Sequence, residues 1–231
     1  EDINFEISEG KTLGIVGETG SGKSTIAKAI INILKVSSGK ILFQNHEISN
    51  LDEKQMRKFR KEIQMIFQDP LASLNPRMNV GEIISEPLKT HYPNLDKKEI
   101  KKQVKDIMEN VGLLANQINR YPHEFSGGQC QRIGIARSLI LKPKLIICDE
   151  PVSSLDVSIQ AQVINLLKEL QDKFKLTYLF ITHDLNIAKH VSDNIMVLNL
   201  GKIVEINKSY EVFNNPKHVY TKKLISSIPK I

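Results

Sequence analysis

One stretch near the start of the chain restricts its fold more than any other. Residues 17–24 read GETGSGKS, with glycines at both ends of a short loop and a lysine and a serine directly after it. A short buried strand is predicted before this stretch, at residues 12–16, and a helix after it, at residues 26–34. Glycines allow successive backbone N–H groups to converge on one anion, and the start of the helix adds the positive end of its dipole. The sequence therefore predicts a strand–loop–helix unit built around a phosphate group.

The spacing G-x-x-x-x-G-K-[ST] is that of the P-loop, the phosphate-binding loop of nucleoside triphosphatases. The alternative Rossmann pattern G-x-G-x-x-G is not met at positions 17–22. In a P-loop the lysine reaches the β- and γ-phosphates and the serine ligates Mg²⁺, which predicts these roles for Lys23 and Ser24. The predicted nucleotide-contacting residues are Gly17, Glu18, Thr19, Gly20, Ser21, Gly22, Lys23, Ser24 and Thr25.

An acidic pair follows a second predicted buried strand. Residues 144–148 read KLIIC, and Asp149 and Glu150 come directly after them. In α/β sheets ligands bind at the carboxyl ends of the strands. Asp149 is therefore predicted to hold Mg²⁺, directly or through water, and Glu150 to polarise an attacking water molecule. The competing interpretation of this pair is the solvated start of a loop.

Strands and helices alternate along the chain, which predicts an α/β fold with a mostly parallel sheet and a small antiparallel part. Further strands are predicted at residues 40–44, 63–67 and 177–182, and a hairpin at residues 194–206 that turns at Leu200 and Gly201. Further helices are predicted at residues 80–88, 97–111, 129–141 and 158–174. Several of these helices fall in residues 69–141, which we interpret as an inserted, mostly helical subdomain.

Composition excludes some classes of protein. The chain has 231 residues, enough for one compact unit, and no apolar run approaches the roughly 18 residues that span a bilayer. The net charge is +6, and lysines cluster at residues 97–105. A solvated helix face is the first interpretation of this cluster and a nucleic-acid-binding stripe the second. Binding of single-stranded nucleic acid would require aromatic residues between the lysines, and this cluster contains none.

The ordered motifs resemble those of the ATP-binding cassette ATPases. Residues 17–24 resemble Walker A, and residues 145–150 (LIICDE) resemble Walker B with its catalytic glutamate. The other matches are Gln68 in IFQDP with the Q-loop, residues 125–129 (FSGGQ) with the signature motif, residues 153–156 (SSLD) with the D-loop, and His183 in ITHD with the switch histidine.

This resemblance implies how the residues would work. Two ATPase domains would dock head to tail and hold ATP and Mg²⁺ between them. The signature residues would contact the γ-phosphate bound on the partner, with glycine needed because a Cβ would hold the backbone away from it. The implied contacts to the partner's nucleotide are Ser126, Gly127, Gly128, Gln129 and Asp156. The implied catalytic residues are Glu150, His183 and Gln68, and the implied metal ligands are Ser24, Gln68 and Asp149.

The wording of residues 67–88, 121–139 and 214–229 resembles the peptide and nickel importer branch of that family, with the oligopeptide or dipeptide subunits most similar. Such a subunit lies on the cytoplasmic face of the membrane and couples ATP hydrolysis to solute uptake. It pairs with a second ATPase, identical or different, and with two membrane-spanning permease subunits served by an extracytoplasmic solute-binding protein. A short coupling helix of the permease would contact residues 68–78 and 80–88, with Met78 and Val80 as candidates. This interpretation implies no nucleic-acid partner. The alternative is a soluble cassette ATPase acting on nucleic acid or ribosomes.

Residues 1–231 are interpreted as a single ATPase domain, with residues 207–231 beginning a C-terminal extension. Two positions depart from the family's pattern. No residue before Gly17 fits the aromatic side chain that stacks on adenine; Phe5 is predicted to be a core strand residue, and the stacking residue is expected to precede Glu1. Cys130 stands where the family often has a basic residue, as either a reactive thiol at a helix start or a buried one.

Overall fold

The computed structural model describes residues 2–227, and a six-stranded sheet lies at its centre. The strands are Thr12–Val16 (β1), Leu42–Phe43 (β2), His46–Glu47 (β3), Ile63–Ile66 (β4), Leu145–Asp149 (β5), Thr177–Ile181 (β6), Asn194–Asn199 (β7) and Lys202–Lys208 (β8). The large sheet has the order β4-β5-β6-β1-β7-β8, and only β8 runs antiparallel to its neighbour. The short strands β2 and β3 form a separate antiparallel pair. The predicted α/β class, with a small antiparallel part, is confirmed.

Helices cover both faces of the sheet. They are Lys23–Ile30 (α1), Glu53–Phe59 (α2), Val80–His91 (α3), Lys97–Asn110 (α4), Gly127–Leu139 (α5), Val157–Phe174 (α6), Leu185–Val191 (α7), Ser209–Asn214 (α8) and Val219–Ser226 (α9). The regular structure between β4 and β5 is helical, as the fold prediction required. Within residues 2–227, no helix is long and apolar enough to cross a bilayer.

The central strands are apolar along their whole length because both of their faces are buried. All five residues of β1, β5 and β6 are buried. Neighbouring residues of a strand point to opposite faces. Ile146 and Cys148 accordingly join a cluster with α5 and α6, whereas Ile147 packs on the other face with Leu13 and Ile15. The site at the ends of these strands is therefore built on a rigid, close-packed base.

Two of the predicted elements differ most clearly in their bounds from the structure. The helix predicted for residues 26–34 begins at Lys23, inside the glycine-rich stretch, and ends at Ile30. The strand predicted for residues 40–44 is reduced to Leu42–Phe43, because Gln44 and Asn45 adopt positive φ angles of 48° and 63° and turn the chain into β3. Polar residues that tolerate this turn conformation therefore end the strand early.

The lysine cluster lies on the solvated side of α4. Its lysines, from Lys97 to Lys105, are exposed, while Val104, Ile107 and Met108 are buried on the opposite side of the same helix. This pattern is that of an amphipathic surface helix, and it favours the first of the two interpretations given above.

A buried glutamate ties the C-terminal part of the described chain to the sheet. Glu205 in β8 is 8% exposed, and its carboxylate accepts hydrogen bonds from the backbone N–H groups of Lys217 (3.0 Å) and His218 (3.0 Å). Burial acts to raise the pKa of this carboxyl, but the two backbone hydrogen bonds, together with Thr221 and the charge of His218, lower it overall. The start of α9 is thereby fixed against β8. Residues 228–231 of the predicted extension, and the end of the 214–229 stretch, lie outside the described residues.

We predict that Glu205→Gln lowers the free energy of unfolding by about 1–3 kcal/mol at pH 7, because charge-assisted hydrogen bonds become neutral ones. A carboxyl whose folded pKa is lowered stabilises the protein fully above its ordinary pKa of about 4.3, and this stabilisation is lost as the pH falls through the folded value. Denaturant unfolding at several pH values should show the gap between wild type and variant shrinking below about pH 4. The exposed Glu169→Gln serves as the control; a gap independent of pH would contradict the assignment.

Candidate functional site

The glycine-rich loop between β1 and α1 encloses the ammonium group of Lys23. The Lys23 Nζ donates hydrogen bonds to the carbonyl oxygens of Gly17 (2.8 Å) and Glu18 (2.9 Å). Lys23 is only 5% exposed. Burial lowers the pKa of its ammonium group, and the nearby carboxylates of Glu150 and Asp149 act in the opposite direction. The lysine is therefore held at the centre of the loop, with acidic groups close by.

Two glycines of the loop are required by its geometry. Gly22 has φ of 102°, a conformation that L side chains rarely adopt, and it stands directly before α1. A Cβ on Gly17 would lie 2.2 Å from the carbonyl oxygen of Leu198 at the end of β7. The loop is thus pressed against the β7–β8 hairpin, whose Gly201 N–H donates to the Ser21 carbonyl oxygen (3.0 Å).

Ser24 of the loop and Asp149 of β5, which are both predicted to bind metal, lie next to each other. The Ser24 Oγ donates a hydrogen bond to Asp149 Oδ1 at 2.9 Å, and Asp149 is 8% exposed. Burial raises the pKa of the Asp149 carboxyl. The hydrogen bond from Ser24 opposes this rise, whereas the charge of Glu150 increases it. A divalent cation would stabilise such a poorly solvated carboxylate, and hydroxyl and carboxylate oxygens suit Mg²⁺. These residues therefore fit the metal.

Glu150 is turned into the same cavity by its backbone. It has φ of 48°, which is uncommon for a residue with a side chain, and its N–H donates to the carbonyl oxygen of Ile181 in β6. Its Oε2 accepts a hydrogen bond from the Gln68 Nε2 (3.1 Å) and lies 3.2 Å from the His183 Nδ1. The structure therefore brings together three predicted catalytic residues that come from the ends of three parallel strands.

The signature residues begin α5 and are positioned by a capping box. The Ser126 Oγ accepts from the Gln129 N–H, and the Ser126 N–H donates to the Gln129 Oε1 at 3.0 Å. Ser126 and Gly127 are exposed, whereas Gly128 is buried. Among the hydrogen bonds and ion pairs of residues 2–227, none joins residues 126–129 to the P-loop. One chain therefore presents two separate groups of predicted nucleotide contacts.

The second signature glycine also has a role in packing. A Cβ on Gly128 would lie 2.5 Å from the Ile159 Cγ2 of α6, whereas a Cβ on Gly127 would meet only the Leu155 Cδ2 at 3.4 Å. The sequence argument that both glycines serve a close approach to phosphate is therefore incomplete. Gly128 is needed for the contact between α5 and α6 inside the chain.

The predicted D-loop is attached to the catalytic glutamate. The Ser153 Oγ donates a hydrogen bond to the Glu150 carbonyl oxygen at 3.1 Å. Asp156 stands at the N-cap position of α6, makes no side-chain capping bond and is exposed. Its carboxylate is therefore accessible beside the site.

Of the two interpretations of Cys130, the structure supports the buried one. Cys130 is fully buried, and its thiol donates a weak hydrogen bond to the Pro122 carbonyl oxygen. Burial raises the pKa of the thiol, so the nucleophilic thiolate is disfavoured. Phe5, for its part, packs at the edge of the sheet core but does not belong to a strand.

Some residues that support the loop were not found from the sequence. Leu198 and Gly201 brace it from the β7–β8 hairpin, and the Tyr220 hydroxyl accepts a hydrogen bond from the Glu18 N–H at 3.2 Å. Local patterns predicted the hairpin, but they carry no signal for a contact with a loop roughly 180 residues earlier in the chain.

A parallel α/β sheet with a P-loop after one central strand and a carboxylate pair after another defines a P-loop nucleotide-binding protein. Comparisons with known proteins define the family. The ABC transporter family model matches residues 1–153, and a model described as the C-terminal region of oligopeptide/dipeptide transporters matches residues 204–231. The chain belongs to the ABC transporter family and is an ATP-binding, ATP-hydrolysing protein of that family, which confirms the predicted resemblance.

Curated relatives are similar over almost the whole chain. The oligopeptide transport ATP-binding protein OppF of Haemophilus influenzae is 58% identical over 99% of this chain and 69% of its own length. OppF of Escherichia coli is 56% identical with the same coverage. The dipeptide transport ATP-binding protein DppF of Lactococcus lactis is 51% identical over 99% of this chain and 74% of its own length.

Solved structures share the fold. The ATP-binding cassette MJ0796, in a dimeric post-hydrolysis state bound to ADP and Pi, has a TM-score of 0.80 at 31% identity, covering 90% of this chain and 89% of that one. CbiO1 of Clostridium perfringens, part of the transporter complex cbiONQ, has a TM-score of 0.83 at 32% identity, covering 98% and 88%.

We predict opposite stability effects for alanine at the two signature glycines. Gly128→Ala should lower the free energy of unfolding by about 1–2 kcal/mol, because its Cβ overlaps Ile159 and the gain in helix propensity only partly compensates. Gly127→Ala should leave stability unchanged or slightly higher, yet reduce ATP hydrolysis if this backbone contacts a phosphate. Denaturant unfolding and phosphate release measure the two effects. Equal destabilisation by both variants would contradict the packing argument.

Proposed function

We propose that this chain is the energy-coupling subunit of an importer for oligopeptides or dipeptides. The relatives named above, at 51–58% identity, are oligopeptide or dipeptide transport ATP-binding proteins, and the C-terminal match is to a region of the same transporters. The observation that carries the enzymatic part is the convergence of Gln68, Glu150 and His183 beside the Ser24–Asp149 pair. The subunit would lie peripherally on the cytoplasmic face of the membrane.

The P-loop would bind the phosphates of ATP. Residues 17–25 supply backbone N–H groups and the start of α1, and both favour a negatively charged ligand. Lys23 would exchange its carbonyl partners at Gly17 and Glu18 for β- and γ-phosphate oxygens. Ser24, Asp149 and Gln68 would hold Mg²⁺. The bound cation would neutralise charge on the phosphates during the reaction.

Glu150 would orient the water that attacks the γ-phosphate. Its Oε2 is held by Gln68 and lies beside His183, and no residue of the described range 2–227 bonds to its Oε1, which could therefore accept a hydrogen bond from water. His183 would contact the γ-phosphate and hold Glu150 in position. Attack of this water breaks the bond between the β-bridging oxygen and the γ-phosphorus, and the products are ADP and phosphate.

The second group of contacts would act on a partner's nucleotide. Among the described residues, no hydrogen bond or ion pair joins residues 126–129 to the chain's own P-loop, Asp156 is exposed, and dimeric forms are described for the cassette MJ0796. A head-to-tail pair with a second cassette subunit, identical or different, would place the start of α5 against the γ-phosphate bound by the other subunit. An isolated monomer would therefore hydrolyse ATP poorly.

A groove beside the Q-loop would receive the membrane subunit. It is lined by Phe67, Ser73, Glu86 and Arg137 among others, and it lies between the sheet edge and α3. Phe67 is 42% exposed and Leu71 is 54% exposed, so apolar surface is available for a short helix of the permease. One of the sequence candidates is corrected here: Val80 is fully buried and cannot contact another subunit.

We predict that Glu150→Gln slows ATP hydrolysis by about 10²–10⁴-fold, the usual range for loss of a general base, while ATP binding is retained. The amide keeps the size of the side chain and its hydrogen bond to Gln68 but loses the charge that polarises water. Phosphate release under saturating ATP measures the rate, and calorimetry measures binding. The exposed Glu109→Gln is the control, and hydrolysis at the wild-type rate in Glu150→Gln would exclude the assigned role.

We predict that the full-length protein, isolated from its own membranes, carries two membrane-spanning subunits and supports uptake of labelled short peptides in reconstituted vesicles with a peptide-binding protein. Leu71→Glu should abolish this association and uptake while ATP binding persists, because it places a charge on the apolar surface that Phe67 and Leu71 expose. Leu114→Glu should have no effect, because Leu114 is 63% exposed but lies elsewhere on the helical part. Co-purification of RNA or DNA instead of membrane subunits would favour the soluble alternative.

A further inference from the structure

Helix α9 places an aromatic hydroxyl directly against the phosphate loop. The Tyr220 Oη accepts a hydrogen bond from the Glu18 N–H at 3.2 Å, across 202 positions of sequence. Tyr220 lies in the segment matched by the C-terminal region model, outside the ABC transporter match at residues 1–153. The C-terminal region of this chain therefore contributes a contact to its P-loop.

The peptide group that Tyr220 contacts is also the one that holds Lys23. The Glu18 N–H and the Gly17 carbonyl belong to the same peptide plane, and that carbonyl accepts a hydrogen bond from the Lys23 Nζ at 2.8 Å. The plane is thus bonded at its N–H end by Tyr220 and at its carbonyl end by Lys23. The contact with Tyr220 therefore restrains the orientation in which the Gly17 carbonyl holds the lysine.

The position of the Tyr220 side chain is itself fixed by three features. Its ring packs on a cluster of buried residues that includes Val16, the residue before Gly17. Its backbone N–H donates to the Nδ1 of His218 at 3.1 Å. Three and two residues earlier, the backbone N–H groups of Lys217 and His218 are held by the buried Glu205 carboxylate. The hydroxyl therefore approaches the loop from a rigid support.

We propose that Tyr220 is a positioning residue for the phosphate loop, which orients the Gly17–Glu18 peptide plane and through it Lys23 toward the phosphates of the nucleotide. The proposal rests on the nucleotide-binding role proposed above for the loop. Gly17 lacks a Cβ and leaves this plane free to rotate, so an external hydrogen bond has an orientation to select. The C-terminal region thus supports nucleotide binding from behind the loop, without contacting the nucleotide.

The test compares Tyr220→Phe with wild type in full-length protein. The variant removes only the hydroxyl, so the free energy of unfolding should change little, while the Kd for ADP and for a slowly hydrolysed ATP analogue should rise about two- to tenfold, the worth of one net hydrogen bond. Tyr210→Phe is the matched control, because Tyr210 in α8 is 69% exposed. Amide hydrogen exchange at Glu18 should become faster in Tyr220→Phe but not in Tyr210→Phe.

A double-mutant cycle separates positioning of Lys23 from a general effect on folding. In a Lys23→Ala background, Tyr220→Phe should weaken nucleotide binding by less than about twofold, because the group it orients is gone. An unchanged Kd in the single variant, or the same loss in both backgrounds, would overturn the proposal. Neither result would affect the proposed function, whose nucleotide-binding part is tested separately by measuring whether the wild-type protein binds ATP.

Discussion

The parallel pairing of the central strands is the constraint on which the site depends. Register aligns β5 with β6 and β6 with β1, so their carboxyl ends open at one edge of the sheet. The P-loop follows β1, the acidic pair ends β5, His183 follows β6 and Gln68 follows β4. Residues that are up to 166 positions apart in sequence, such as Gly17 and His183, meet there because hydrogen bonds between strands hold those ends in place. The hydrogen bonds from Ser24 to Asp149 and from Gln68 to Glu150 are consequences of this alignment.

A single chain presents its predicted nucleotide contacts in two places with different supports. The P-loop is supported by the sheet, the β7–β8 hairpin and Tyr220, whereas the signature residues are supported by a capping box and by the contact of α5 with α6. The first group belongs to the sheet core and the second to the helical part. Movement of the helical part relative to the sheet would therefore change the distance between signature residues and a partner's P-loop, while each group kept its own internal geometry.

Much of this arrangement was predictable from local sequence. The P-loop has a fixed spacing with a physical reason for each residue type, and the apolar runs that form β1, β5 and β6 indicated strands buried on both faces. The bounds of short polar elements could be predicted less well, as the early end of β2 before Gln44 shows. Contacts between distant segments could not be read from local patterns. The overlap of a Cβ on Gly128 with Ile159, the depth of Cys130 and the hydrogen bond from Glu18 to Tyr220 depend on tertiary packing, which no short window of sequence contains.

The two carbonyl contacts of Lys23 have a consequence for how a nucleotide would bind the loop. The ammonium group has oxygen partners at 2.8 and 2.9 Å, so its charge is solvated by the loop's own backbone. Under the proposed function, an arriving nucleotide would replace one set of oxygens with another, so association would be an exchange that demands little backbone rearrangement. The same carbonyls would receive the lysine again when the products leave, so the loop would not have to refold between turnovers.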